Sequence, residues 1–172
     1  MAMLAIAPMV NFSLPGYHIQ TGSPLDRSRL VRVMECNHQE LTANGSSLSM
    51  AATVDRYLSS QTPLWWIWPA ASQEQPGVES SEVVACLWLG QAIDQYNGLP
   101  HPYVLLLYVS PHHRRRGLAT ALLQVAHSWA KDQGYSQISL QVWTNNQPAQ
   151  ALYRKLGYQP QAILMKSYLE VV

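Results

Sequence analysis

The run Tyr103–Leu123, YVLLLYVSPHHRRRGLATALL, constrains this chain more than any other stretch. Its apolar segment, Tyr103 to Val109, predicts a strand covered on both faces. Pro111 ends that strand, and a helix opens on Arg114-Arg115-Arg116-Gly117-Leu118-Ala119. Leu118, Ala121, Leu122, Val125, Ala126 and Trp129 recur at helical spacing, and Gly134 supplies the stop. A buried strand feeding a helix through a short turn calls for a sheet with helices packed on it. The turn also receives the unpaired N–H groups and the positive dipole end of the helix. Gly117 leaves room for close approach, so the turn predicts a phosphate seat. Three arginines at a positive helix end are unfavourable without an anion, which points the same way.

The rest of the chain supplies the expected partners of that strand. Tyr17–Thr21 predicts a first strand; Ser23 caps and Pro24 opens a helix to Leu41, carried by Leu30, Val33, Met34 and Leu41. Leu48, Ala51, Val54 and Leu58 predict a second helix ending before Pro63. Leu64–Trp68 and Val83–Ile93 read as a hairpin, with the polar segment 71–81 as its loop. The tryptophans Trp65, Trp66 and Trp68 read as sheet packing. After the main helix, Ile138, Leu140 and Val142 alternate with polar residues, predicting a half-buried strand. Asn146 caps a further helix ending at Gly157, and Ile163–Leu169 supplies a last strand. The fold class is therefore α/β (α+β): a mixed central sheet flanked by helices, in the order β-α-α-β-β-β-α-β-α-β. Residues 1–172 read as a single domain, with 1–16 as an extension or an early strand in preference to a cleaved leader.

Composition narrows the function. Charged residues are only 12% of 172 and the net charge is +1, which argues against a nucleic-acid binder. No apolar run is long enough to span a bilayer. Cys36 and Cys86 lack metal spacing and read as buried free thiols in a reducing compartment, so the expected location is cytoplasmic. Neither a Walker loop nor a dinucleotide fingerprint is present, and there is no HExxH, serine elbow or Cys/His cluster, so no metal is expected.

A second constellation follows the first: Asn146-Gln147-Pro148-Ala149-Gln150-Ala151-Leu152-Tyr153-Arg154-Lys155-Leu156-Gly157-Tyr158. Together the two segments resemble the GNAT superfamily of acyl-CoA-dependent N-acetyltransferases. Arg114, Gly117 and Ala119 fit its [QR]-x-x-G-x-[GA] pattern. Asn146, Ala149, Leu152, Tyr153, Gly157 and Tyr158 fit N-x-x-A-x-x-[LF]-Y-x-x-x-G-[FY]. The resemblance implies a GNAT-like fold and transfer of an acetyl group from acetyl-CoA, as co-substrate, to a primary amine by direct attack. It implies that Arg114, Arg115, Arg116, Gly117, Leu118, Ala119 and Thr120 wrap the CoA pyrophosphate through backbone N–H groups. It implies that Val109 offers backbone hydrogen bonds to the pantetheine arm, where the strand splays from its neighbour. Asn146 would contact the same arm or simply cap its helix. Tyr153 would protonate the departing thiolate, against the alternative of a core aromatic on its helix face.

One departure from the family pattern stands out. Members often carry a Glu on the central strands as general base, and Val104–Val109 contains no carboxylate. Glu82, Asp94, His101 just before the central strand, Tyr108 and water alone are the candidates. The rival function is a non-catalytic acyl-CoA-binding sensor or interaction module. The acceptor is a small-molecule or peptide amine, and a shortage of acidic residues in its expected pocket disfavours polycations. Neither nucleic acid nor membrane is an expected partner, and the chain would be a monomer or homodimer.

Overall fold

The computed structural model describes residues 12–41, 50–70, 82–167 and 169. The hairpin loop 71–81 and the start of the second helix at Leu48 lie outside the described residues. The chain divides into two compact units, Met1–Gln141 and Val142–Val172.

The first unit is a five-stranded sheet with helices. Strand β1 (Tyr17–Thr21) is followed by a 3-10 turn, Pro24–Asp26, and helix α1 (Arg27–Leu41). The Ser23 hydroxyl accepts from the Leu25 amide at 3.2 Å while Asp26 accepts from the Ser23 amide at 2.8 Å, a reciprocal cap. Then come α2 (Ala51–Tyr57), β2 (Leu64–Pro69), β3 (Ala85–Ile93), β4 (Pro100–Val109), α3 (Leu118–Asp132) and β5 (Ser139–Leu140). The order across the sheet is β1-β2-β3-β4-β5. All neighbours are antiparallel except β4 and β5, which are parallel.

Both faces of the sheet are packed, as the unbroken apolar run of β4 requires. One core joins Leu30 and Val33 of α1 and Val54 of α2 to Leu64, Trp66, Cys86, Trp88, Leu106 and Tyr108 of the strands. Trp66 and Trp88 are fully buried there and supply much of its apolar area. Helix α3 lies against β3 and β4 on the opposite face, burying Leu118, Leu122, Leu123, Val125 and Ala126. Trp65 meets Trp129 edge-on, with ring centroids 6.2 Å apart. The Arg27 guanidinium and the Asp55 carboxylate, 2.5 Å apart, tie α1 to α2.

The pairing of β3 with β4 slips at Trp88/Leu89: Trp88 faces Leu106, whereas Leu89 faces Val104. Leu105 is therefore the extra residue of a bulge. It packs on the α1/α2 core, over Gly90, where an added Cβ would stand 2.6 Å from Leu105 Cδ1. On its other edge β4 pairs with β5 only at Tyr103↔Ser139 and Val104↔Leu140. Among the described residues, the β4 backbone from Leu105 to Val109 has strand partners on the β3 side alone.

In the second unit, α4 (Gln147–Lys155) is capped as expected: Asn146 Oδ1 accepts from the Ala149 amide at 3.2 Å. Gly157 closes it at φ +88°. The Tyr153 and Tyr158 rings meet edge-on, 5.6 Å apart.

Four expectations are corrected. No strand forms over Ile163–Ser167 or at Leu169; Ile163, Leu164, Met165 and Leu169 stand exposed, since apolar content without a ladder partner does not make a strand. The fifth strand shortens to two residues because its pairing with β4 stops at Leu140. The central strand begins at Pro100, three residues earlier than its apolar run, because Ile93↔Pro100 closes the hairpin. His101 thus lies inside β4 and is buried. Finally, Cys86 is buried and free but Cys36 is exposed on α1.

Candidate active site

The turn between β4 and α3 is built from backbone. Pro111–His113 forms a 3-10 turn and Arg114 is extended. Arg115 then adopts φ +63°, the only positive φ of a non-glycine among the described residues, and Gly117 adopts φ +86° as the residue before α3. Left-handed residues in such a turn gather N–H groups into an anion-binding concavity. No side chain caps the first turn of α3. Among the described residues, the amides of Arg115, Arg116 and Gly117 find no backbone acceptor. These N–H groups, with those of Leu118, Ala119 and Thr120, and the helix dipole make a positive cradle.

The arginine side chains do something different from what their spacing suggests. Arg114 Nε donates to the Val109 carbonyl at 2.9 Å, and its Nη2 pairs with Glu40 of α1. Arg116 Nη1 donates to Tyr17 Oη at 3.0 Å, and that oxygen lies 2.9 Å from His113 Nδ1. Two of the three charges therefore have partners within the protein, and the expected need for an external anion is met in part by Glu40. Arg115 alone has no side-chain partner among the described residues. The sequence contained no signal for Tyr17 or Glu40, which lie 99 and 74 residues from their arginines. His113 is held below the ordinary imidazole value by burial, then by Arg116 and His112.

The unpaired edge of β4 meets this cradle at Val109. The Val109 carbonyl already accepts from Arg114, so that residue holds the end of the strand as well as offering it. Asn146 and Tyr153 belong to the second unit, on α4. Tyr153 is half-buried, and burial pushes its phenol up to about 12. A phenol so placed keeps its proton at neutral pH and can give it but not take one.

The base candidates separate by environment. Asp94 is locked into the β3–β4 turn: it accepts from the Tyr96 amide at 2.8 Å and from Gln137 Nε2 at 3.0 Å. The Gln137 hydrogen bond first, then the Tyr96 amide, hold its carboxyl below the usual range. Glu82 is exposed, three residues before β3. Burial, then the charges of Glu40 and Cys36, raise the Tyr108 phenol, which makes it a poor base. His101 is buried on β4, with Nε2 2.8 Å from Ser139 Oγ.

Acetyltransferases of known structure share this fold. An aminoglycoside acetyltransferase from an uncultured soil metagenomic sample, solved with sisomicin, matches with a TM-score of 0.66 at 12% identity, covering 91% of this chain and 97% of that one. AAC(6')-Iy, solved with the bisubstrate analog CoA-S-monomethyl-acetylneamine, matches at 0.63 and 13% identity, covering 90% and 99%. At these identities the likeness is one of fold. The model of the acetyltransferase (GNAT) family matches residues 33–158, and the chain belongs to that family. Human N-acetyltransferase 8 is 30% identical over 91 residues, 45% of this chain and 40% of that protein. The chain spans roughly half or less of the length of the curated relatives it matches.

Proposed function

We propose that this protein transfers an acetyl group from acetyl-CoA to a primary amine. The observation that carries the reading is the cradle of free amides at Arg115–Thr120, continuous with a strand edge unpaired from Leu105 to Val109. The pyrophosphate would sit on the cradle and the pantetheine would add to the strand edge as a short extra strand. A β4 amide on that edge would polarise the thioester carbonyl. The amine would attack the carbonyl carbon, the C–S bond would break, and the CoA sulfur would take the Tyr153 proton. Burial keeps the Tyr153 phenol protonated at neutral pH, so the proton it would donate is present. Asn146 would add a contact to the arm while keeping its cap.

The free thiols Cys36 and Cys86 support a reducing, cytoplasmic setting, and among the described residues no helix is long and apolar enough to cross a membrane. The weakly charged surface supports a neutral or singly charged amine over a polycation or a nucleic acid.

Calorimetry with acetyl-CoA tests the cofactor half; the absence of heat at about millimolar ligand, where a weak site would still bind, overturns it. Release of CoA thiol across a panel of alkylamines, arylamines and peptide N-termini tests the transfer. Tyr153→Phe should lower turnover about a hundredfold or more and leave acetyl-CoA affinity unchanged; unchanged turnover removes Tyr153 from the chemistry.

A further inference from the structure

The imidazole of His101 is out of keeping with its surroundings. It is 8% exposed and is the only buried histidine among the described residues. Its Nε2 lies 2.8 Å from Ser139 Oγ, yet its Nδ1 is buried with no hydrogen-bond partner. An orphaned polar atom in a core costs about 1–3 kcal/mol, a cost that Nε1 of Trp66, Trp68 and Trp88 also carries. Three features give His101 a use. First, the register places it on the working face: His101 faces Ala92 and Tyr103 faces Gly90, so both share the α1/α2 face with the Leu105 bulge. Second, Ser139 is opposite Tyr103, one residue before the last β4–β5 pair, so its half-buried hydroxyl stands where the strands part. Third, a cavity of about 120 Å³ is lined by His101 together with the polar Asn97, Ser136 and Gln137. A cavity of that size has room for water beside the ring.

We infer that His101 and Ser139 form the proton relay that the carboxylate-free central strand otherwise lacks, leading from the acceptor amine to water in this cavity. The inference rests on the acetyltransferase reading. The bound ammonium first gives a proton to Ser139 Oγ as the proton of that hydroxyl passes to His101 Nε2; the freed lone pair then forms the C–N bond, and the nitrogen's second proton returns to the Tyr153 oxygen once that phenol has protonated the CoA sulfur. The imidazolium then releases its Nδ1 proton to the cavity water. Asp94, within electrostatic reach of the ring, stabilises the charged intermediate. Asp94, just after β3, is the carboxylate that acts on the ring, and Tyr135 lines the same cavity. Serine is the catalytic residue that meets the amine, and His101 acts through it.

The test uses two acceptors with the full chain: an alkylamine, which arrives as an ammonium and must lose a proton, and an aniline, which arrives neutral. His101→Gln and Ser139→Ala should lower kcat/KM for the alkylamine about a hundredfold. The aniline should lose far less, and acetyl-CoA affinity should not change. Equal losses on both amines, with the variants folded, mean that the pair is structural and overturn the relay. Ser139→Ala removes one hydroxyl and serves where His101→Gln fails to fold. A second readout needs no acceptor. In ¹⁵N spectra the two His101 ring nitrogens should show the proton shared with Ser139, and their shifts should move in Ser139→Ala. A ring locked in one neutral tautomer, indifferent to Ser139, overturns the relay. If the wild type acetylates no amine, the transferase reading fails, and the spectra still decide whether the ring is proton-connected to solvent.

Discussion

The two ends of β4 are built from different materials. At Val109 the strand runs into a cradle made of N–H groups, with φ values of +63° at Arg115 and +86° at Gly117 setting its curvature. The side chains there are occupied elsewhere, Arg114 on Glu40 and Val109, Arg116 on Tyr17. At His101 the reverse holds: the backbone is an ordinary ladder and the unmet valence belongs to a side chain. A backbone site depends on conformation and tolerates many residue types. A side-chain site depends on two or three atoms. Substitutions should therefore weaken the cofactor end when they disturb φ, and the far end when they remove an atom.

The bulge between the two ends is where the largest structural cost should fall. Gly90→Ala sets a Cβ 2.6 Å from Leu105 Cδ1 and 2.9 Å from its Cγ. The Cγ is no flexible tip, so Leu105 must move and the bulge with it. Overpacking of this kind costs about 1–3 kcal/mol. Thermal or urea unfolding should show the loss, and turnover should fall further than stability explains, since Leu105 is the first residue of the unpaired edge. A variant as stable and active as the wild type would mean that the bulge does not set the site.

This contrast also explains what the sequence made legible. The β4–α3 turn showed itself because glycine and a helix start leave a spacing signature, and Asn146 and Gly157 marked the ends of α4 in the same way. The apolar runs located the core strands for an equally local reason. Pairing is not local. Nothing in Ile163–Leu169 separates a strand from an exposed segment until a neighbour is found or missing. The partnership of His101 with Ser139 spans 38 residues and depends on a parallel register of two pairs. A lone histidine beside Pro100 and Pro102 reads as a loop residue until Ile93↔Pro100 draws it into the strand. Glu40 and Tyr17 were invisible for the same reason, as was the splay of β4 itself, which the family resemblance required but the residues did not encode.

Gly117→Ala probes the cradle more gently. Space is not the obstacle, because the nearest atom to a new Cβ is Leu14 Cδ2 at 3.7 Å. The obstacle is φ +86°, where an L side chain costs about 1–2 kcal/mol. The turn should relax, splay its N–H groups and weaken acetyl-CoA binding about tenfold, read by calorimetry, with kcat at saturating cofactor little changed. An unaltered affinity would mean that the phosphate contacts come from side chains after all.

The arginines set the smallest and most discriminating comparison. If the cradle is backbone, Arg115→Gln removes only a screened surface charge, since its side chain has no partner among the described residues. Exposed charges of this kind are worth about 0–1 kcal/mol, so acetyl-CoA affinity should fall no more than about fivefold and the loss should shrink with added salt. Arg114→Gln differs in kind, because it frees Glu40 beside the cradle and releases the Val109 carbonyl. Its effect should exceed that of Arg115→Gln and should persist in salt, since part of it is the lost grip on the strand end. Equal, salt-sensitive losses at the two positions would instead describe a cluster acting by charge alone, and the distinction between the two ends of β4 would fail.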